Sequence, residues 1–248
     1  MTTLDTARLA EDLREQTAGF ARAVAGGDPD AEVPTCPEWR LRDLAGHIGH
    51  AHRWTAELVH QAADAPIAAP AADDPGPQDT WERWLTEGAE KVIDAVQEAP
   101  AGARVWSMAG PTPPMFWLRR MLGDTVIHHY DAAATTGAPF DVADDLAADV
   151  ISEGMGLLAE PSAVRFKPEL AELRGRGETI VIRPDSGQGW VITRTPEGIR
   201  CERGDGDGDV VVSGPVTELM LVFTRRVPAR DVTGDRALLD HWLTHTSF

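Results

Sequence analysis

The chain has 248 residues, room for two ordinary domains, and its 42% hydrophobic content is that of a packed globular protein, which excludes global disorder. Its formal net charge of −17, with arginines scattered instead of clustered, would be repelled by a phosphate backbone and argues against nucleic-acid binding. Cys36 and Cys201 make no disulfide framework, no apolar run approaches the roughly 20 residues of a membrane span, and the amphipathic start lacks a signal-peptide pattern; a cytoplasmic protein with no membrane partner is expected.

Residues 6–25 form the first helical pattern, with Leu9, Leu13, Phe20 and Val24 on one face and Gly26–Gly27 stopping it. After a loop holding Pro34, Cys36 and Pro37, a second helix is predicted over 41–63, with Leu44, Ile48, Ala51, Leu58 and Val59 as its apolar stripe. The Pro/Ala/Asp-rich stretch that follows cannot be a helix interior. A third helix is predicted over 80–98, and a fourth opens after "GPTPP" and runs to about Thr136, ending at Gly137. Four such helices read as a four-helix bundle. One more helical pattern covers 141–160. The period then changes: "ETIVIRP", "GWVITR", "GIRCER" and "DVVVSG" are short β-branched runs between turns, and two helical patterns close the chain. The expected organisation is α plus α+β, with a helical bundle over residues 1–160 and a small α/β domain over 175–248.

The fourth helix raises the functional question. In "MLGDTVIHHYDA", Asp124, His128 and Asp131 fall within about 60° of one another on the helix, on the shoulder of its apolar face. A carboxylate and an imidazole at i and i+4 can reach one metal ion, and a further ligand must come from another helix. The second helix offers His47, His50 and His52. His47 and His52 lie on opposite shoulders of its stripe and His50 is turned away, so periodicity does not choose between the first two. The same spacing suits an ordinary helix ion pair on a solvated face, and the pattern alone leaves both readings open.

"VPTCPEWRLRDLAGHIGHAHRWTAELV", followed some way on by "RRMLGDTVIHHYDAA", resembles the mycothiol-dependent maleylpyruvate isomerase family. The resemblance extends through "VVVSGPVTELMLVFTRR" and "VTGDRALLDHWL" over nearly the whole chain. It implies a DinB-like four-helix bundle followed by a sterol-carrier-like domain. It implies a divalent metal, zinc first, held by His47, Asp124 and His128, with Asp standing where the family usually has Glu. The shorter side chain requires closer helices, an intervening water or a weaker site. Asp131 is then a catalytic candidate that either orients a histidine or faces the substrate. His129 reads as packing or surface.

The implied chemistry is addition of a metal-activated thiolate from mycothiol to an electrophilic small molecule such as maleylpyruvate, in an isomerase or an S-transferase. A dianionic substrate needs a local cation, and the resemblance favours Arg225 over its neighbour Arg226. Two other readings stand beside this one: a non-catalytic small-ligand-binding protein with a degenerate metal site, and a metal-dependent hydrolase. Cys36 reads as a structural thiol, since no base is near it in sequence. Asp205, Asp207 and Asp209 mimic the start of a calcium loop, but the twelfth position is Val216 where that loop needs Glu.

Overall fold

The computed structural model describes residues 4–68 and 75–246. The chain divides into two compact units, Leu4–Val142 and a second that begins at Ala143. The first holds α1 (Thr6–Ala25), a short antiparallel pair β1 (Glu32–Val33) and β2 (Cys36–Arg40), then α2 (Leu41–His60), α3 (Trp81–Glu98) and α4 (Met115–Thr136). It is a four-helix bundle of the DinB-like kind, as the periodicity and the resemblance led one to expect.

Local chemistry sets the helix ends. The Asp5 carboxylate accepts from the Arg8 amide at 2.8 Å and caps α1. The Asp43 carboxylate accepts from the Arg40 amide at 2.8 Å, closing the start of α2 where the hairpin feeds into it. α4 ends at Gly137, which takes the left-handed conformation with φ of 74° that other residues resist. The predicted apolar stripes are largely the buried ones: Leu9, Leu13, Phe20 and Val24 of α1, Leu44, Ile48, Leu58 and Val59 of α2, and Leu85, Val92 and Ile93 of α3 are buried, with Ala51 half-buried, and Phe20, Val24, Leu44, Ile48 and Leu85 belong to one core cluster. Arg53 clamps the α2–α3 contact, donating to the Gly49 and Trp84 carbonyls at 3.0 and 2.8 Å with its guanidinium 4.3 Å from the Trp84 ring centre.

The second unit holds α5 (Asp144–Ala159), α6 (Ala163–Phe166), a 3-10 turn (Pro168–Leu173), β3 (Thr179–Pro184), β4 (Trp190–Thr195), β5 (Gly198–Arg203), β6 (Val210–Gly214), α7 (Val216–Phe223), β7 (Asp231–Gly234) and α8 (Arg236–His245). Its sheet runs β5-β4-β3-β6-β7, with β3 and β6 parallel and the other neighbours antiparallel. Ile180–Ile182 and Val210–Val212 are buried at every position, so the central parallel pair is covered on both faces. This is the small α/β, sterol-carrier-like domain.

Three features differ from the sequence reading, the first being that the stretch expected to be a loop around Pro34, Cys36 and Pro37 holds the antiparallel pair β1–β2. Helix α5, which the boundary at residue 160 assigns to the bundle, is part of the second unit, where it packs on α7 and β5 and the Trp190 indole donates to Ser152 Oγ at 3.0 Å. Strand β7 was not foreseen, because a four-residue edge strand with only Val232 half-buried carries no hydrophobic alternation. Among the described residues, no helix is long and apolar enough to cross a membrane.

A Cβ at Gly49 would overlap the Trp84 ring, and Arg53 holds that ring in place. Replacing a helical glycine by alanine ordinarily adds about 1 kcal/mol. Overpacking a fixed contact costs about 1–3 kcal/mol. Gly49→Ala is therefore expected to lower stability by up to about 2 kcal/mol, read as a reduced urea midpoint with unchanged slope.

Candidate metal centre

The β1–β2 hairpin, α2 and α4 together build the centre. His47 projects from α2 and Asp124 and His128 from α4, and one ligand atom of each lies within 4.8 Å of the others. His47 Nε2 is 3.3 Å from Asp124 Oδ2, so the aspartate, one methylene shorter than glutamate, reaches its partner directly. Asp124 Oδ1 accepts from Arg120 Nη2 at 3.2 Å, which turns Oδ2 toward His47. Burial alone would raise the Asp124 pKa. The hydrogen bond from His47 and the charges of His128, Arg120 and His47 outweigh it and hold the carboxyl well below the usual carboxylate range. It is an anion at any physiological pH.

His128 is oriented from behind. Its Nδ1 donates to Asp131 Oδ2 at 2.8 Å, which leaves Nε2 as the lone pair available to a ligand. Asp131 is 0% exposed, and its Oδ1 accepts from Thr35 Oγ1 at 2.6 Å while Cys36 Sγ lies 3.7 Å from Oδ2. This burial places Asp131 behind His128, where of its two expected roles it is positioned to orient that ring. Trp39, at the end of the hairpin, covers both imidazoles, with ring centroids 4.9 Å from His47 and 5.6 Å from His128.

Two imidazoles and one carboxylate converge, with one histidine fixed by a buried carboxylate. This set suits a divalent ion such as zinc, cobalt or nickel, with further positions left for another ligand. The proton that His47 and Asp124 share is what such an ion would displace.

The remaining histidines of the bundle have other duties. His52 is 0% exposed and its Nε2 donates to Thr125 Oγ1 at 2.9 Å, while Thr125 donates onward to the Met121 carbonyl. It is a core residue; of the two histidines that periodicity left open, packing brings His47 beside Asp124 and His128. His50 sits edge-on against Trp84. His129 is buried on Phe140, with Nδ1 bonded to Gln16 Oε1 at 2.9 Å.

Sequence reasoning missed Thr35, Cys36, Trp39 and Arg120. Cys36 has no base near it in sequence and reads there as a structural thiol, yet Cys36, His128 and Asp131 form a second convergent donor group. No sequence signal carries this, because the contact joins residues far apart along the chain through β2 folding over α4. Arg120 was legible in principle, as a cation at i−4 from Asp124. Arg225 belongs to the second unit, at the turn after α7, with a left-handed φ of 62°; the donor set lies entirely within the first. The mimic calcium loop is structural: Asp205 accepts from the Gly189 amide and Asp209 from the Thr179 amide.

The fold is that of a DinB-like helical domain, with a candidate metal centre, joined to a sterol-carrier-like domain. A family profile described as the mycothiol maleylpyruvate isomerase N-terminal domain matches residues 10–133, and the chain belongs to that family. Among solved structures, it is similar to the mycothiol-dependent maleylpyruvate isomerase at 18% identity, with a TM-score of 0.63, over 94% of this chain and 96% of that one. A point mutant of the same isomerase matches at 18% identity and a TM-score of 0.61, over 92% and 93% of the two chains. No curated protein matches the sequence.

Two measurements follow from this geometry. Asp131→Asn keeps the shape but removes the charge that fixes the His128 tautomer, and is expected to weaken zinc binding about 10–100-fold in a competition titration. His52 and His129 are held neutral mainly by burial, each with a pKa lowered from 6.5 to about 4. The unfolded chain takes up protons near 6.5 and the folded one does not, so stability is complete above that value and falls as pH drops toward 4. Between about pH 7 and about pH 5 the loss should approach about 2 kcal/mol per ring, seen as a falling urea midpoint, and His129→Gln should remove about half of it.

Proposed function

We propose that this protein is a metal-dependent enzyme using mycothiol as its thiol cosubstrate, an isomerase or S-transferase acting on a small electrophile such as maleylpyruvate. The observation that carries the reading is the convergence of His47, Asp124 and His128 within 4.8 Å, backed by a buried carboxylate on His128. Family membership supports the thiol and the class of reaction. The structural likeness to the mycothiol-dependent maleylpyruvate isomerase supports the fold on which that chemistry would run.

When bound, a divalent ion such as zinc supplies the Lewis acid that keeps a thiol in its thiolate form, so no cysteine of the chain has to serve as nucleophile. For an isomerase, one carbon of the substrate's cis double bond gains the sulfur, the resulting single bond turns, and loss of the same sulfur returns the trans isomer and the free thiol. For a transferase, the thioether is the product. His47, Asp124 and His128 would hold the ion. Asp131 keeps the proton on His128 Nδ1, and Arg120 keeps Asp124 Oδ2 aimed at His47. Trp39 shields both imidazoles on one side, limiting water where a thiolate would be protonated. Arg225 is assigned to a substrate carboxylate on the resemblance alone.

Elemental analysis of the purified chain beside His47→Ala and His128→Ala tests the centre. The expected result is about one zinc or related ion per wild-type chain, lost in both variants with unchanged circular dichroism. Wild type that stays metal-free after incubation with zinc would overturn the enzymatic reading in favour of a ligand-binding protein. With metal present, turnover of the electrophile should require the thiol; thiol-independent hydrolysis would replace the proposal by a hydrolase. Arg225→Ala should raise KM for a dianionic substrate about 10-fold or more while leaving metal content unchanged.

A further inference from the structure

The second unit carries an imidazole pair that the proposed centre does not use. His241 and His245 stand one turn apart on α8, with ring centroids 4.2 Å apart and planes inclined by 33°. His245 Nδ1 donates to the His241 backbone carbonyl at 2.8 Å. A carbonyl only accepts, so this bond places the proton of neutral His245 on Nδ1 and leaves Nε2 as a bare lone pair, the arrangement found in metal-ligating histidines. His241 Nδ1 is buried and has no hydrogen-bond partner among the described residues. A buried imidazole nitrogen left in that state costs free energy that an unrecorded partner would recover.

The 3-10 turn that bears Glu172 packs against α8 and brings negative charge to the same locality. Arg194, the opposing cation, donates to the carbonyls of Glu172, Leu173 and Arg174, which ties it to the turn.

We propose that His241 and His245 form a second metal site, selective for a borderline d-block cation such as Ni²⁺, Cu²⁺ or Zn²⁺. Histidines at i and i+4 share a helix face and can chelate one ion. Imidazole nitrogen suits these metals, whereas Ca²⁺ and Mg²⁺ require oxygen ligands that the pair does not offer. With two protein ligands and the other positions filled by water, the site is an exchangeable one that takes up metal according to supply. It is independent of the centre in the bundle, and neither needs the other.

The test is a calorimetric titration of the tag-free, metal-stripped full chain with Ni²⁺ at neutral pH, alongside His245→Ala, His241→Gln and His47→Ala. Wild type should bind about two equivalents, and each of the three variants about one. Combining His47→Ala with His245→Ala should abolish binding, with circular dichroism confirming that the fold persists. Nickel uptake by His245→Ala and His241→Gln equal to that of wild type would overturn the inference. So would a wild-type stoichiometry of about one that His47→Ala abolishes, which leaves only the bundle centre. Binding kept in His47→Ala but lost in both α8 variants supports the pair and counts against the bundle centre, so the two readings fail separately.

Discussion

A carboxylate with no exposure to water must be surrounded by donors or it will not stay charged, and Asp131 is such a carboxylate. Among its partners are Thr35 and His128, with the Cys36 thiol alongside, and they come from the β1–β2 hairpin and α4. Satisfying that one charge therefore ties the hairpin to the fourth helix and places Trp39 over the imidazoles. It also fixes which nitrogen of His128 is free. Local stability and the chemistry of the centre rest on the same contact.

The bundle uses histidine in two opposed ways. His52 and His129 are buried and neutral, and they fill space and bridge helices through Thr125 and Gln16. His47 and His128 sit beside anions at the edge of the core, where a cation can reach them. The difference does not lie in residue type but in the neighbours that packing supplies: Asp124 across the interface for His47, and Asp131 one turn along α4 for His128. Glycine makes those interfaces possible: Gly49 admits the Trp84 ring and Gly19 admits the His129 ring, close approaches that any side chain would prevent.

The second unit follows a different logic. Its two central strands are buried on both faces and need helices above and below, which is why α5 belongs with the sheet although it follows the bundle directly in sequence. The break at Ala143 falls just after α4 and its short exit loop, so sequence adjacency pointed to the wrong neighbour. A helix reports from sequence that one of its faces is buried; it does not report against what.

By itself the sequence determined what depends on period, punctuation and residue type. The bundle helices, the four main strands and the alignment of Asp124 and His128 along one face follow from local spacing, because helix and strand geometry repeat within a few residues. So does the left-handed stop at Gly137. Tertiary structure decided the rest. The choice of His47 over His52, the arrival of Thr35, Cys36 and Trp39, the burial of Asp131 and the edge strand β7 all depend on segments far apart in the chain. Such contacts are set by how whole faces pack, and a single helical wheel contains no information about the surface it meets.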